Sequence, residues 1–244
     1  VRYMNVIILS KISPIEGLLK ELKMKHIRSI YAPLINASAI TISSQKIKKI
    51  GSANKIIFQS KNAVKYSKKL YEMLKKNKSI SYMSVGKFSA LEIKKVYNVK
   101  CEYPINNFSS DSLLQMPNLE NVNGQKIVVV RGKDGRRAIE KTIKNRGAEV
   151  IIIESYKREI LEENLTKIRL DKDCTNYVIT LSKVALDEFC TKFDHEIPKY
   201  KIIVIVPSKR VANEINKSYS MKILKMENIE SEKSYIECIL NESK

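Results

Sequence analysis

Two stretches of this sequence, IIFQSKNAV at Ile56–Val64 and VITLSKVAL at Val178–Leu186, follow one pattern. Each is an apolar run rich in β-branched residues, followed by Ser-Lys and then by Ala and an aliphatic residue. Such a run favours a buried strand, and the residues after it open a helix. The stretches begin at residues 56 and 178, so the offset between them is 122 residues. The same strand-to-helix unit is therefore predicted twice.

The offset of 122 residues recurs elsewhere in the chain. GKFSALEI at Gly86–Ile93 corresponds to SKRVANEI at Ser208–Ile215, and VIIL at Val6–Leu9 corresponds to VVVR at Val128–Arg131. One match of this length could arise by chance, but a shared offset in three separate segments indicates an internal duplication. We therefore expect two similar halves.

Eight apolar runs alternate with helical patterns along the chain. Continuous β-branched runs are typical of strands buried on both faces, as in a parallel sheet with helices on either side. The predicted fold class is α/β, with two similar doubly wound parallel-sheet domains. The predicted strands are Met4–Leu9, Ser29–Pro33, Lys55–Gln59, Ser81–Val85, Lys126–Arg131, Glu149–Glu154, Tyr177–Leu181 and Lys201–Val206.

The composition argues against metal sites and membrane spans, but it does not identify a binding partner. The net charge of +19 favours a polyanionic partner, namely a nucleic acid, a membrane surface or a small molecule with many carboxylates, yet abundant Lys, Ile and Asn also fit compositional drift. Neither the four cysteines (Cys101, Cys174, Cys190 and Cys238) nor the two histidines (His26 and His195) show metal-site spacing. We expect reduced thiols and no metal or other cofactor. The apolar runs are too short for a membrane span.

Ser60 and Ser182 occupy equivalent positions in the two repeats, each between a strand and a helix. The carboxyl ends of parallel strands are where doubly wound sheets bind ligands. A helix that begins there offers free N–H groups and the positive end of its dipole to an anion. The two serines are therefore either simple helix caps or parts of two anion-binding rims.

Five motifs in one order resemble those of uroporphyrinogen-III synthases. The strongest is IVVVRGKDGRRAIEKTIKNRGAEVIIIESYKRE at Ile127–Glu159, which resembles the family's central segment. IIFQSKNAV resembles the strand that ends in F-T-S-x-x-A-V, and VGKFSALEI at Val85–Ile93 is similar to V-G-x-x-T-A. NFSSDSLLQMP at Asn107–Pro117 and VPSKRVANEI at Val206–Ile215 match further family segments, so the resemblance spans nearly the whole chain.

The resemblance implies a particular division of the chain. It predicts a discontinuous first domain of residues 1–34 and 161–244, and a second domain of residues 41–153. Two extended linker strands, residues 35–40 and 154–160, would join the domains, and the site would lie in the cleft between them. These linkers again fall near the 122-residue offset.

The resemblance also implies a reaction. The linear tetrapyrrole hydroxymethylbilane, which carries eight carboxylates, would lose water and close into uroporphyrinogen III with ring D inverted, as a step of haem biosynthesis. The preceding, bilane-forming enzyme would supply the substrate. The expected protein is a cofactor-free, cytoplasmic, monomeric lyase that binds neither nucleic acid nor membrane.

Candidate site residues follow from the family's positions. Tyr156, in a linker strand, is the expected hydrogen-bond donor to the leaving hydroxyl. Two positions depart from the family pattern, because Lys11 replaces an Arg and Val211 leaves the second repeat without the hydroxyl that Ser89 supplies to the first. The expected substrate-binding residues are Ser60, Ser89, Ser182, Arg131, Lys133, Arg136, Lys11 and Ser208.

Two other functions remain open from sequence. A two-domain basic protein could clamp a nucleic acid or another polyanion without catalysis, and such binding would weaken steeply with salt. A two-lobed sensor of small ligands would have a similar architecture. Neither a nucleic-acid-binding motif nor an export signal is evident in the sequence.

Overall fold

The computed structural model describes residues 4–12, 15–133, 135–206, 209–216, 221–226 and 233–242. These residues fold into two compact units. Unit 1 consists of Val1–Asn36 and Glu159–Lys244, and unit 2 consists of Ala37–Arg158. The chain therefore leaves unit 1 after its first strands and helix and returns to it for the last third of the sequence.

In the described part of the chain, ten strands form two five-stranded sheets, one in each unit. In chain order the strands are β1 (Met4–Ile8), β2 (Arg28–Tyr31), β3 (Ile35–Ala39), β4 (Lys55–Phe58), β5 (Ser81–Ser84), β6 (Lys126–Gly132), β7 (Glu149–Ile160), β8 (Thr175–Ile179), β9 (Ile202–Val206) and β10 (Lys222–Lys225). The sheet of unit 1 has the order β10-β9-β8-β1-β2, and that of unit 2 has the order β3-β7-β6-β4-β5.

The described residues include twelve α-helices, which connect these strands or flank them. They are α1 (Glu16–Met24), α2 (Ser44–Ile50), α3 (Lys61–Lys65), α4 (Tyr71–Lys76), α5 (Lys87–Tyr97), α6 (Ser110–Leu114), α7 (Pro117–Glu120), α8 (Ala138–Asn145), α9 (Glu162–Leu165), α10 (Lys183–Lys192), α11 (Lys209–Asn216) and α12 (Lys233–Glu242). No described helix is long and apolar enough to cross a membrane.

The two sheets repeat one strand order. Unit 1 contains β2-β1-β8-β9 and unit 2 contains β7-β6-β4-β5, with neighbours paired in parallel. The 122-residue offset relates β1 to β6, β2 to β7, β4 to β8 and β5 to β9. Each sheet thus takes two strands from the first repeat and two from the second. This exchange is why unit 1 is discontinuous in sequence.

Burial on both faces explains why apolar runs form these strands. In β6, Val128 and Val130 pack into one apolar cluster of unit 2, while Ile127 and Val129 pack into the other. Alternate side chains of a strand point to opposite faces, so a central strand covered by helices on both sides must be apolar throughout. In β1 of unit 1, Val6 and Ile7 are divided between two clusters in the same way.

The predicted α/β class with parallel sheets is confirmed, and each of the eight predicted strands is present. One described strand, Lys222–Lys225, was not predicted, and it is a four-residue edge strand with lysines at both ends. Ile35–Ala39 has only one strongly β-forming residue, and an extended segment was expected there only from the resemblance, at residues 35–40. Edge strands need little burial and often carry charge, so the apolar pattern that reveals central strands is weak there.

Candidate active site

Polar segments gather where β4, β5 and β6 of unit 2 end. Gln59 and Ser60 follow β4, Gly86 follows β5, and Lys133 follows β6. Because the strands are parallel, their carboxyl ends share one edge of the sheet, and this edge is where ligands bind in α/β folds. We call this edge the unit 2 rim.

A β-bulge turns Tyr156 towards this rim. The pairing of β6 with β7 is regular from Lys126 with Glu149 up to Arg131 with Glu154. The next residue of β6, Gly132, pairs with Tyr156, so Ser155 is the extra residue. Side chains alternate between faces along a strand, and one extra residue exchanges the faces. Tyr156 consequently packs in the same apolar cluster as Ile153, although the two residues are three positions apart and would face opposite sides of a regular strand.

The Tyr156 side chain is held on several sides. Its hydroxyl lies 3.1 Å from Ser60 Oγ in a hydrogen bond that either oxygen can donate. Its ring stacks on that of Tyr66, with centroids 5.9 Å apart. Tyr66 is itself anchored, because its hydroxyl donates to the Ala37 carbonyl at 2.6 Å. Only 4% of Tyr156 is exposed, so its hydroxyl points to a fixed position.

The backbone of Ala63 joins the bulge to helix α3. Ser60 caps α3, and its Oγ accepts from the Ala63 N–H at 3.1 Å. The Ala63 carbonyl accepts from the buried Ser155 hydroxyl at 3.2 Å. The two serines thus fix the start of α3 and the bulge of β7 to the same residue, and this linkage sets the Ser60–Tyr156 distance.

Gly132 leaves the space that the Tyr156 ring fills. A Cβ atom on Gly132 would lie 2.8 Å from Tyr156 Cζ and 3.1 Å from its hydroxyl oxygen. Contacts under about 3 Å force one group to move, and the ring is already packed against Tyr66.

We therefore expect Gly132→Ala to displace the Tyr156 hydroxyl by a few tenths of an ångström and to lower turnover about tenfold, because small misplacements of a reacting group are costly. Turnover and the thermal midpoint should be measured together. Gly51→Ala is the control for adding a methyl group, since Gly51 has an ordinary helical φ and its nearest new neighbour would be the end of the flexible Met73 side chain at 3.3 Å. Full activity in Gly132→Ala would show that the Tyr156 position is not critical.

Arg131 is buried at the end of β6 and is engaged within unit 2. Its guanidinium lies 3.1 Å from Glu154 Oε1 and 3.6 Å from Glu140 Oε2. It also donates to the carbonyls of Gly135 at 2.9 Å and Lys133 at 3.3 Å. Through these four contacts Arg131 holds the loop that follows β6 in place. They also leave few of its N–H groups available to a substrate.

Lys133 and Arg136 lie on that loop, and both side chains are exposed. The Arg136 carbonyl accepts from Gln59 Nε2 at 3.2 Å, which joins the loop to the end of β4. Cationic side chains on a loop fixed at its base suit the binding of carboxylates. The structure therefore places these two predicted residues on the same rim as Ser60 and Tyr156.

Ser89 lies in the first turn of α5 and is 8% exposed. It contributes to the wall of a small pocket on the unit 2 rim, together with Gln59 and Gly86. The structure thus brings Ser60, Ser89, Lys133, Arg136 and Tyr156 to a single edge of one sheet.

The remaining predicted residues belong to unit 1. Ser182 begins α10, and Lys11 follows β1 and donates to Asn36 Oδ1 at 2.6 Å. Ser208 lies outside the described residues. The hydroxyl of Ser10, which precedes Lys11, accepts from the Leu181 N–H at 2.9 Å. The carboxyl ends of β1 and β8 therefore lie at one edge of the sheet of unit 1.

The equivalent serines Ser60 and Ser182 differ in the hydrogen bonds that their side chains make. Ser60 accepts a capping hydrogen bond from its helix, whereas the Ser182 side chain makes no capping bond. Loss of a serine cap typically costs about 1 kcal/mol. Ser60→Ala also removes the hydrogen bond to Tyr156, so we expect it to lower the free energy of unfolding by about 1–2 kcal/mol. Ser182→Ala should change it little, as measured by urea denaturation. Equal losses would contradict this difference.

Three further residues shape the rim without having been predicted: Tyr66, Gly132 and Ser155. Their roles depend on the β-bulge, and no residue pattern in the sequence of β7 predicts that bulge. Among the described residues, no group of three His, Cys, Asp or Glu side chains is arranged to hold a metal ion.

The chain is similar to proteins of one family. A family model described as uroporphyrinogen-III synthase HemD matches residues 17–233. The uroporphyrinogen-III synthase of Proteus mirabilis is 27% identical over 139 residues, which cover 55% of this chain and 70% of that protein. The Escherichia coli (strain K12) enzyme is 39% identical over 77 residues, and this match spans 32% of this chain and only 31% of that enzyme. The match to the Salmonella typhimurium enzyme likewise spans 31% of its length.

Solved structures agree in fold. A mutant uroporphyrinogen III synthase from the extremely thermophilic bacterium Thermus thermophilus has a TM-score of 0.69 at 11% identity, and the match covers 98% of this chain and 99% of that one. The uroporphyrinogen-III synthetase of Helicobacter pylori 26695 has a TM-score of 0.53 at 14% identity, with 99% of both chains covered. At such identities the likeness shows the fold alone.

Proposed function

The chain belongs to the uroporphyrinogen-III synthase family, and from this membership we propose that it closes hydroxymethylbilane into uroporphyrinogen III. The observation that carries the proposal is the family match over residues 17–233. The reaction releases the terminal hydroxyl as water, and ring D is inverted when the macrocycle closes. The family match offers no support for the alternative of a nucleic-acid-binding protein.

Tyr156 is proposed as the proton donor to the leaving hydroxyl. Loss of hydroxide from carbon is slow, and a positioned acid that turns the leaving group into water accelerates it. A phenol can donate one hydrogen bond and accept others. The proton that the closing pyrrole carbon releases restores the phenol, so the cycle consumes no acid.

Ser60 supports this role by its hydrogen-bond direction. Its Oγ accepts from the Ala63 N–H, which leaves its own hydrogen available for the Tyr156 oxygen 3.1 Å away. When Ser60 donates, the Tyr156 hydrogen is directed elsewhere and is available to the leaving group. The same donated bond stabilises the phenolate oxygen while its proton is away.

Carboxylate binding is proposed for exposed cations and helix-terminal hydroxyls. In unit 2 these are Lys133 and Arg136, with Ser60 and Ser89. In unit 1 the proposed residues are Lys11, Ser182 and Ser208, of which Ser208 lies outside the described residues. The four contacts of Arg131 support a different part for it, that of holding the Lys133–Arg136 loop in place.

We also propose the domain division, the cellular location and the oligomeric state of the protein. The domains are residues 1–34 with 161–244 and residues 41–153, and residues 35–40 and 154–160 are the linkers between them. We place the enzyme in the cytoplasm as a monomer that needs no cofactor and receives its unstable substrate from the bilane-forming enzyme. The compact units 1–36 with 159–244 and 37–158 support this division.

The proposed function can be tested in a bacterium whose own uroporphyrinogen-III synthase gene is deleted. Such a host closes the bilane only spontaneously and accumulates isomer I porphyrins. Expression of this chain should restore isomer III porphyrins and haem-dependent growth. A well-expressed, folded chain that leaves isomer I as the sole product would refute the function.

A further inference from the structure

Two exposed aromatic side chains border one small pocket on the unit 2 rim. Phe88 is 73% exposed and Phe108 is 50% exposed. Both line a pocket of about 190 Å³, whose wall also includes Gln59, Gly86 and Ser89. Large apolar side chains left in water forgo the stabilisation that burial would bring, and clusters of them usually mark a binding site. No role assigned so far involves either ring.

The structure fixes the position of the Phe108 ring. A Cβ atom on Gly86 would lie 2.9 Å from Phe108 Cβ and 3.1 Å from Phe108 Cγ. Only glycine therefore allows Phe108 to approach the start of α5 so closely. The Tyr103 ring packs against Phe108 on another side, with centroids 6.4 Å apart. Half of the Phe108 surface remains open although its base is held.

A polar group in the same pocket lacks a partner. Ser89 is more than nine-tenths buried and contributes to the pocket wall. Within the part of the chain that the structure describes, its hydroxyl has no hydrogen-bond partner, and the oxygen is not completely enclosed. Water can reach it in the free protein, and a polar group of a ligand can take the place of that water. The position of Ser89 in the first turn of the eleven-residue helix α5 adds the positive end of a helix dipole.

We propose that this pocket binds one pyrrole ring of the substrate, with the ring against Phe88 and Phe108 and one of its carboxylates on Ser89 and the first turn of α5. The inference rests on the proposed function, because it takes the bilane as substrate. The volume is below the roughly 300 Å³ of sites for whole drug-sized ligands, which fits one ring rather than four. Pyrrole faces pack well on aromatic side chains.

The pocket adjoins the catalytic pair through the chain itself. Gln59, in the pocket wall, precedes Ser60, whose hydroxyl bonds Tyr156. A ring bound here would hold one part of the flexible chain while the leaving group is protonated nearby. Phe88 and Phe108 are thus positioning residues for the substrate. They take no part in the transfer of the proton.

The test compares Phe88→Ala and Phe108→Ala with Leu91→Ala. Leu91 is also exposed on α5, but it does not line this pocket. Two quantities are measured: KM for freshly made bilane, and Kd for reduced uroporphyrinogen III by anaerobic calorimetry. Each phenylalanine variant should raise both about tenfold, while kcat falls by less than about twofold. Leu91→Ala should leave KM, Kd and kcat unchanged.

The two measurements separate the pocket from the proposed function. If the wild type forms isomer III but the phenylalanine variants keep its KM and Kd, the pocket proposal is wrong and the function stands. Slowing only in the coupled assay with the bilane-forming enzyme would mean that the two rings contact a protein, and would equally overturn the proposal. If the wild type forms only isomer I, the function fails, and the pocket stands only if Phe88→Ala still weakens Kd.

Discussion

Tyr156→Phe is expected to lower the rate of isomer III formation by about a hundredfold or more, because general-acid assistance typically contributes 10²–10⁴-fold. The substitution removes the hydroxyl and keeps the ring that stacks on Tyr66. It deletes one partly buried hydrogen bond to Ser60, worth about 1 kcal/mol of stability. The loss of rate should therefore far exceed the loss of stability. Initial rates and urea unfolding of the same preparation measure the two.

Tyr82→Phe is the matched control for this experiment. Tyr82 is buried in the same apolar cluster of unit 2, and burial raises the pKa of its hydroxyl. It lies in β5, and its ring packs against that of Tyr97, with centroids 6.0 Å apart. Its loss should leave the rate within about twofold. If Tyr156→Phe retains the wild-type rate, or if both variants lose it equally, Tyr156 is not the proton donor.

The largest change in stability is expected for Arg131→Met. The arginine side chain is 5% exposed and lies between the carboxylates of Glu140 and Glu154. Methionine has a similar length, so the main effect is to leave the largely buried Glu140 carboxylate with only the exposed Arg137 as a cationic neighbour. Breaking a buried ion pair in this way costs about 3–5 kcal/mol. The loop held by Arg131 should loosen as well, and KM should rise.

Arg137→Met is the control for the loss of a positive charge near the same carboxylate. Arg137 lies 4.0 Å from Glu140 Oε1, but its side chain is 68% exposed. Exposed pairs contribute about 0–1 kcal/mol, so the change in unfolding free energy should be small. The two variants should be compared by urea denaturation followed by circular dichroism. A loss below about 1 kcal/mol in Arg131→Met would mean that Arg131 is dispensable for the loop.

The central strands could be predicted from sequence because burial on both faces forces a continuous apolar run. Val128 and Ile127 point to opposite clusters, yet both must be apolar. The same constraint made the 122-residue repeat visible, since equivalent strands meet equivalent neighbours. Strand β3 (Ile35–Ala39) is only partly buried and gave no such signal.

The site was less predictable because its geometry depends on contacts between distant segments. Ser155 is the extra residue of a bulge, and only the paired strand β6 reveals it. Arg131 was expected to bind a carboxylate of the substrate, yet it is surrounded by two carboxylates of its own chain. Sequence shows that an arginine stands at the end of a strand, but it does not show which acidic residues the fold brings to it.

Ser60 and Ser182 show the limit of the repeat itself. Their sequences are equivalent, and both precede a helix. In the structure Ser60 caps its helix and bonds Tyr156, whereas the Ser182 side chain makes no capping bond. The repeated pattern fixes where a residue lies in the fold. Its partners depend on segments outside the pattern, here the end of β7.

The most direct test of the central claim is the isomer composition formed from fresh hydroxymethylbilane at increasing concentrations of this protein. Spontaneous closure gives isomer I and competes with the enzyme, so the isomer III fraction should rise from near zero to nearly all of the product. Tyr156→Phe should need a far higher concentration to reach the same fraction. Isomer I as the sole product at every concentration of folded protein would contradict the account.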